Sequence, residues 1–392
     1  MSLIFYDDSP VFGGHEVMAL LGLEAVLAEV AAPLHFFAAA ANVKLCTKVA
    51  ALAANHPHLR LETLDYHSSK FEALRNQLQP SRARRLAQRF RQLHPSLVVA
   101  IQGNIEHSSL ALHASRCASI PVTSYIPVPH SNAVMGARLG TIRDLFASRL
   151  FRLPGSFITI SDEMARLLRL QGVTAPIHIV YNGVDTARFQ PGGEAVAARQ
   201  QLNLPTGKIL FGIIGRIEFR QKQQHLLVQA LAANSSLAAT CHLVFAGDGP
   251  DRAALQSLIQ QQGISATLLP WCDPAPLYQT LDALVIPSRY EGLPLVMLEA
   301  LASGTAVLAA DRDGMKDLLT AEWRFESNSS TALAAALTSF IQQGRPTPAA
   351  ALVARVRDSM SLQAFRAAFA ATIRNLISST ELEGKRVSHE SQ

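Results

Sequence analysis

Between Ile286 and Ala300 the chain reads Ile286-Pro287-Ser288-Arg289-Tyr290-Glu291-Gly292-Leu293-Pro294-Leu295-Val296-Met297-Leu298-Glu299-Ala300. An apolar run closes at Pro287, and Pro294 suits the start of a helix. The first amides of such a helix, with Gly292 permitting close approach, form an anion site fit for a phosphate. Glu291 precedes the helix, and Glu299 follows about one and a half turns inside it, at roughly 3.6 residues per turn. Carboxylates are poor phosphate ligands but good acceptors for sugar and ribose hydroxyls, which need partners when buried. Taken alone, the segment also reads as an acid favoured by the helix dipole plus an incidental helical glutamate.

Two other strand ends carry related chemistry. Ile213-Ile214-Gly215-Arg216-Ile217 closes an apolar run, with Lys222 shortly after and a helical pattern from Gln223. The glycine permits close backbone approach, and Arg216 and Lys222 would neutralise a diphosphate. A charged surface turn would carry the same residues. Phe245-Ala246-Gly247-Asp248-Gly249-Pro250 is a strand running into a glycine turn, with Pro250 at or near the first helical position. Asp311-Arg312-Asp313 follows another apolar run and mimics a DxD metal motif. Arg216 and Lys222 already supply the charge such a metal would bring, so no metal is expected. Asp7-Asp8 reads as a capping loop.

These groups need a scaffold that presents strand ends side by side. Short apolar runs alternate with helical patterns throughout: Leu3–Tyr6, Leu34–Ala38, Leu59–Leu64, Ser96–Ile101, Pro121–Ile126 and Phe157–Ile160, then Ile209–Ile214, His242–Ala246, Thr267–Leu269, Ala283–Ile286 and Ala306–Ala309. That rhythm implies parallel sheets covered on both faces, an α/β protein. Turn chemistry at Tyr181-Asn182-Gly183-Val184-Asp185 and Phe189-Gln190-Pro191-Gly192-Gly193 breaks it near the middle. The expected domains are 1–180 and 181–360, followed by a helix over 361–378 and a polar, disordered tail over 379–392. Two such units would leave a ligand-binding cleft.

A chain of 392 residues, 49% hydrophobic and 17% charged, has the composition of a soluble two-domain protein. Its net charge of +5 favours anionic partners, without pointing to nucleic acid. Cys46, Cys117, Cys241 and Cys272 show no zinc or CxxC spacing and are expected to be reduced thiols of a cytoplasmic protein. No signal peptide is read at the start, and Glu24, Glu29, Pro33 and His35 interrupt the most apolar stretch, so any membrane contact is expected to be peripheral. Two helical patterns are basic and amphipathic. One holds Arg82, Arg84, Arg85, Arg89 and Arg91; the other interleaves Arg138, Arg143, Arg149 and Arg152 with Leu139, Ile142, Leu145, Phe146 and Leu150. Both suit anionic lipid headgroups, and ordinary surface helices explain both equally well.

Gly215-Arg216 with Lys222, the Gly247–Pro250 turn, Trp271 with Asp273, the Pro287-Ser288 strand end and the Glu291/Glu299 pair stand in the order found in retaining GT-B glycosyltransferases. More narrowly the chain resembles the group 1, or family 4, enzymes. Asn182-Gly183-Val184-Asp185 is similar to the linker motif of that family, and Phe12-Gly13-Gly14-His15-Glu16 to its glycine-rich loop. The resemblance implies two Rossmann-like domains facing across a cleft, acceptor side first and donor side second, with the 361–378 helix crossing back to the first. Arg216 and Lys222 would clamp the donor diphosphate. Glu299 would bind ribose hydroxyls and Glu291 sugar hydroxyls. The backbone of Gly292, Leu293, Pro294 and Leu295 would help bind the phosphate or sugar, and Gly13 and Gly14 would approach the diphosphate from the first domain. His130 matches the histidine near the reacting sugar, with His107 and His15 as rivals. Gln223 departs from the pattern, since a glycine often follows the lysine, and Arg220 is a nearby alternative to Lys222.

The implied activity is retaining transfer from a nucleotide-diphosphate sugar, a UDP- or GDP-sugar, to a saccharide, lipid-linked or other hydroxyl acceptor in bacterial polysaccharide or glycoconjugate synthesis. It would need neither metal nor other cofactor, since fixed cations and dipoles stabilise the leaving group. A nucleotide-sugar epimerase or hydrolase of the same fold, and a non-catalytic sugar-nucleotide binder, are the competing readings.

Overall fold

The computed structural model describes residues 2–193 and 195–390, with side chains up to 380. The chain divides into two compact units, one of residues 1–182 together with the chain from Gln363 onward, the other Gly183–Leu362.

The first unit is built on a seven-stranded parallel sheet, order β3-β2-β1-β4-β5-β6-β7. Its strands are β1 (Ser2–Asp7), β2 (Leu34–Ala39), β3 (Leu59–Leu64), β4 (Pro95–Ile101), β5 (Val122–Tyr125), β6 (Ser156–Thr159) and β7 (Ile177–Ile179). Helices cover such a sheet on both faces, so β1 and β2 are buried at every position and are largely apolar, with Ser2 and Asp7 at the ends of β1 and His35 within β2. Helix α1 (Gly14–Glu29) follows β1, and Glu16 Oε2 accepts from the Gly13 amide at 2.7 Å. Helices α2 (Pro80–Leu93) and α3 (Gly140–Ala147) lie on the same unit. The final helix, α4 (Leu362–Glu390), packs here too: Phe369 meets Tyr125 edge to face at 5.6 Å, and Arg366 and Arg374 pair with Glu24 and Glu29 of α1.

The second unit carries a six-stranded parallel sheet, order β10-β9-β8-β11-β12-β13. The strands are β8 (Ile209–Ile214), β9 (Cys241–Ala246), β10 (Ala266–Leu269), β11 (Ala283–Ile286), β12 (Ala306–Ala310) and β13 (Arg324–Phe325). Phe211, Leu243, Phe245, Val285 and Leu308 share its core with the helix Gln224–Ala232.

Each sheet reverses its winding once, between β1 and β4 and between β8 and β11. Loops leaving the carboxyl ends on either side of such a point diverge and leave a crevice.

Two strands escape the sequence reading. β7 and β13 are edge strands of three and two residues, too short for a periodic signal. The tail from 379, expected to be disordered, is instead helical as far as Glu390; it includes Glu381, Leu382, Glu383, Lys385 and Arg386, all strong helix formers. Residues 391–392 of that tail lie outside the described residues. Among the described residues no helix is long and apolar enough to cross a membrane.

Candidate active site

In the second unit the polar groups gather where β8 and β11 part. Gly215, at the end of β8, has φ +137°, a conformation that side chains rarely adopt. Its carbonyl explains Gly247 as well: a Cβ on Gly247 would lie 2.1 Å from Gly215 O, so the two strand-end turns interlock. Arg216 projects from this turn with a side chain 57% exposed, its Nε 3.6 Å from Glu218. The short helix Phe219–Lys222 then delivers Lys222 to Glu291, Nζ to Oε1 at 2.5 Å.

Glu291 sits in the loop after β11 and is only 6% exposed. Its amide donates to Asp313 Oδ2 at 2.8 Å. Asp313 therefore fixes the backbone of the Glu291 loop and also meets Arg312, while Asp311 pairs with Arg324 at 2.6 Å. The DxD look-alike is thus engaged in holding the fold. A Cβ on Gly314 would lie 2.3 Å from Gly292 O, which locks the same loop against the next strand end.

Helix α-start geometry shifts by one residue. Pro294 is the N-cap, and the helix proper runs Leu295–Ala302. Pro250 likewise falls two residues before its helix, Arg252–Gln262. Glu299 points to Tyr278, whose hydroxyl donates to Oε2 at 2.6 Å. Burial raises the Glu299 pKa, against the pull of that hydrogen bond and of Arg188, itself paired with Asp273 at 2.6 Å. Sequence reasoning missed Tyr278, Arg188 and the role of Asp313, because each acts through a partner distant in sequence.

Gln223 occupies the left-handed region at φ +51°. The glycine usual at this point of the resembling pattern is what that backbone favours, so its absence leaves Lys222 in place and is carried as local strain. Arg220, the alternative to Lys222, faces Glu218 at 3.5 Å rather than Glu291.

In the first unit the carboxyl edge is drier. Asp7 and Asp8 end β1 fully buried, and Asp8 Oδ1 accepts from the Ser108 amide at 2.7 Å. Burial pushes the Asp7 carboxyl up to about 8 and that of Asp8 up to about 6. His15 Nε2 lies 3.0 Å from Glu16 Oε1. Burial disfavours the imidazolium, but Glu16 and then Asp7 outweigh it and raise the His15 pKa. Asp7, His15 and Glu16 offer ligand atoms within 4.8 Å of one another, the group best placed among the described residues to share a proton or hold a cation. The His107 ring lies tilted to that of His15, centroids 6.5 Å apart, and its pKa is held down to about 4 by burial and by that neighbour. His130 lies in the loop after β5, 6% exposed. The structure thus brings His15 and His107 together. Gly13 is extended at φ −144°, and a Cβ there would meet Glu16 Oε2 at an ordinary 3.5 Å.

Two Rossmann-like units with parallel sheets define a GT-B fold. Solved structures agree: Anabaena HepE bound to UDP superposes with a TM-score of 0.74 at 20% identity, covering 96% of this chain and 100% of that one. Sucrose-phosphate synthase of Thermosynechococcus elongatus gives 0.75 at 19%, covering 97% and 100%. Residues 196–357 match the model for group 1 glycosyl transferases, and residues 42–188 the model for Glycosyltransferase Family 4. Between them these matches take in most of the chain, which belongs to the group 1, family 4 glycosyltransferases. It is 31% identical over 213 residues to a GDP-mannose-dependent alpha-mannosyltransferase of Mycobacterium tuberculosis, covering 53% of this chain and 54% of that protein. It is 35% identical over 190 residues to a D-inositol 3-phosphate glycosyltransferase of Nocardia farcinica, covering 42% of each. The chain spans about half, or less, of the length of the curated relatives it matches.

Proposed function

We propose that this chain transfers a sugar, with retention and without a metal, from a nucleotide-diphosphate sugar to a saccharide, lipid-linked or other hydroxyl acceptor. The observation that carries the reading is the Lys222–Glu291 ion pair at the reversal point of the second sheet, with Arg216 in the turn that ends β8. A donor diphosphate entering there would take Lys222 and Arg216 as its cations. Glu291, released from Lys222, would accept a hydroxyl of the donor sugar. The helix start at Leu295 would face the phosphate with its amides, and Glu299 with Tyr278 would take the ribose hydroxyls.

Departure of the nucleoside diphosphate is the costly event. Cations and amides fixed before the reaction stabilise that charge with no reorganisation. The acceptor hydroxyl would then attack from the face the phosphate leaves, and a phosphate oxygen would take its proton. Nothing in the fold demands a glycine at Gly13, since its backbone is extended and a Cβ there would make only an ordinary contact. A ligand approaching that backbone would supply the reason. A UDP- or GDP-sugar fits the names of the relatives, one GDP-mannose-dependent and one solved with UDP. The expected setting is bacterial glycoconjugate synthesis on the cytoplasmic side of a membrane.

The test is product analysis with UDP-, GDP- and ADP-sugars, with and without hydroxyl acceptors, in the presence of EDTA. The expected result is an adduct whose anomeric configuration matches the donor. Inversion, dependence on added metal, or an altered free nucleotide sugar with no adduct would each overturn part of the reading.

A further inference from the structure

The transfer proposed above uses no side chain from the buried end of β1, where the first unit gathers acids around an imidazole. Asp7 closes β1, and His15 and Glu16 lie in the first turn of α1. Both carboxylates are buried, and among the described residues no lysine or arginine pairs with either. One oxygen of each is committed to the backbone. Asp7 Oδ1 accepts from the Ser9 amide at 2.9 Å, and Glu16 Oε2 from that of Gly13 at 2.7 Å. Asp7 Oδ2 has no hydrogen-bond partner among the described residues, and His15 Nε2 and Glu16 Oε1 have only each other, at 3.0 Å. One ligand atom from each of the three residues lies within 4.8 Å of the others.

Two neighbours point to the same spot. Tyr125, at the end of β5, is fully buried with its hydroxyl unpartnered, and the charge of Glu16 adds to burial in raising its pKa. Gly103, just after β4, makes room for the imidazole: a Cβ there would lie 2.6 Å from His15 Cε1 and 2.8 Å from Nε2.

We propose that Asp7, His15 and Glu16 hold one divalent transition-metal ion, Zn2+ or Mn2+, between the end of β1 and the first turn of α1. A dication balances two buried carboxylates beside a neutral imidazole and accepts a lone pair from all three at once. Protons can also balance that charge, but each adds a donor that itself needs an acceptor. A spacing of 3.0 Å suits two adjacent ligands about 2.1 Å from a shared ion. The amides of Ser9 and Gly13 would orient the carboxylates from behind, as outer partners do in metal sites. The imidazole selects a transition metal over Mg2+ or Ca2+. His15, with 18% of its side chain exposed, leaves a way in for the ion and for water to complete its coordination. Such an ion ties Gly13 and Gly14 to the strand end, and no step of transfer passes through it.

Metal content and melting of the full chain test the site, with the exposed Cys117 and Cys272 changed to serine to remove rival ligands. After exposure to Zn2+ or Mn2+ and gel filtration, elemental analysis should find about one ion per chain. The melting temperature should rise by about 5–10 °C with the ion at about 100 times its Kd, and fall back in EDTA. Mg2+ and Ca2+ at the same concentration should give no rise. Asp7→Asn, His15→Gln and Glu16→Gln should each weaken binding by at least about 100-fold, since loss of an outer partner alone costs up to about that much. Gly103→Ala, which removes no ligand, should weaken it too by displacing the imidazole. A cooperative melt in EDTA shows which variants fold, and those that do not are left out of the comparison. The proposal falls if the wild type retains no ion, if Mg2+ stabilises it equally, or if every folded variant binds as the wild type does. These readouts need neither donor nor acceptor. Thermal shift with a UDP-sugar in EDTA reads the second unit separately, so either reading can fail alone.

Discussion

The two sheet edges have the same architecture and opposite electrostatics. In the second unit the edge carries paired and open charge: Arg216 is more than half exposed, and Lys222 pairs with Glu291. In the first unit Asp7, Asp8 and Glu16 are buried around His15, and their pKa values are displaced by desolvation and by one another. One edge carries an ion pair that, on the proposed reading, a donor would displace. The other holds a closed set of acids and a histidine whose protons are coupled.

The comparison breaks first if the Lys222–Glu291 pair is inert. Lys222→Ala or Glu291→Ala is expected to lower kcat/KM by about 100- to 1,000-fold, the loss typical of removing one preorganised charge-stabilising group. A double-mutant cycle should give strong coupling between them. Unchanged turnover of every donor in both variants would rule out the site.

A smaller effect is expected at the ribose end. Glu299→Ala should raise the donor KM by about tenfold with kcat little altered, because that interaction is made equally before and during the reaction. Tyr278→Phe should move in the same direction by less. A fall in kcat alone would place Glu299 at the reacting centre instead.

The buried edge makes a prediction in pH. Burial raises the folded-state pKa of Asp7 from its ordinary 3.8 to about 8, so the folded chain binds more protons than the unfolded one between those values. Stability must then decline as pH rises through that window. The raised pKa of His15 acts in the same direction, since the stability it gives is lost as pH passes its folded value. Asp7→Asn keeps an oxygen for the Ser9 amide and removes the titration. Its melting temperature, relative to wild type, should climb steadily from pH 5 to about pH 8. A constant difference across that range would show that Asp7 titrates normally.

The smallest effect sharpens the account of Lys222. Gln223→Gly relieves a left-handed backbone but loses the hydrogen bond to Asn328 at 2.9 Å and adds freedom to the unfolded chain. The expected net change is a stabilisation of no more than about 1 kcal/mol in urea melts. A clear destabilisation would mean that the Asn328 contact outweighs the strain.

What the sequence could disclose follows from how local each feature is. Gly215-Arg216 and the Glu291–Pro294 run announce themselves because turn formation, charge and helix entry are written in neighbouring residues. Strand rhythm likewise gave the α/β class, apart from the brief edge strands β7 and β13. Pairings were illegible. Lys222 and Glu291 are 69 residues apart, and Tyr278 reaches Glu299 across 21. Those partners depend on which strands lie side by side, and a reversal in strand order has no local residue signature. The same holds for Asp313, which reads in sequence as half of a DxD and in the fold accepts from the Glu291 amide. The triplet Asp7, His15 and Glu16 was visible only as separate residues, since β1 and the start of α1 bring them together.

The last helix carries a consequence for synthesis. Phe369 fills the space over Gly22, where a Cβ would come within 2.7 Å of its ring, and it seals Tyr125 as well. Domains ordinarily fold as they emerge, amino-terminal first. Here the first domain lacks a wall until Gln363 and its followers leave the ribosome, so the second, complete by Leu362, has its full sequence sooner. A nascent chain would therefore carry an open apolar face on its first unit while the whole of Gly183–Leu362 is made, and would depend on the helix that follows to close it.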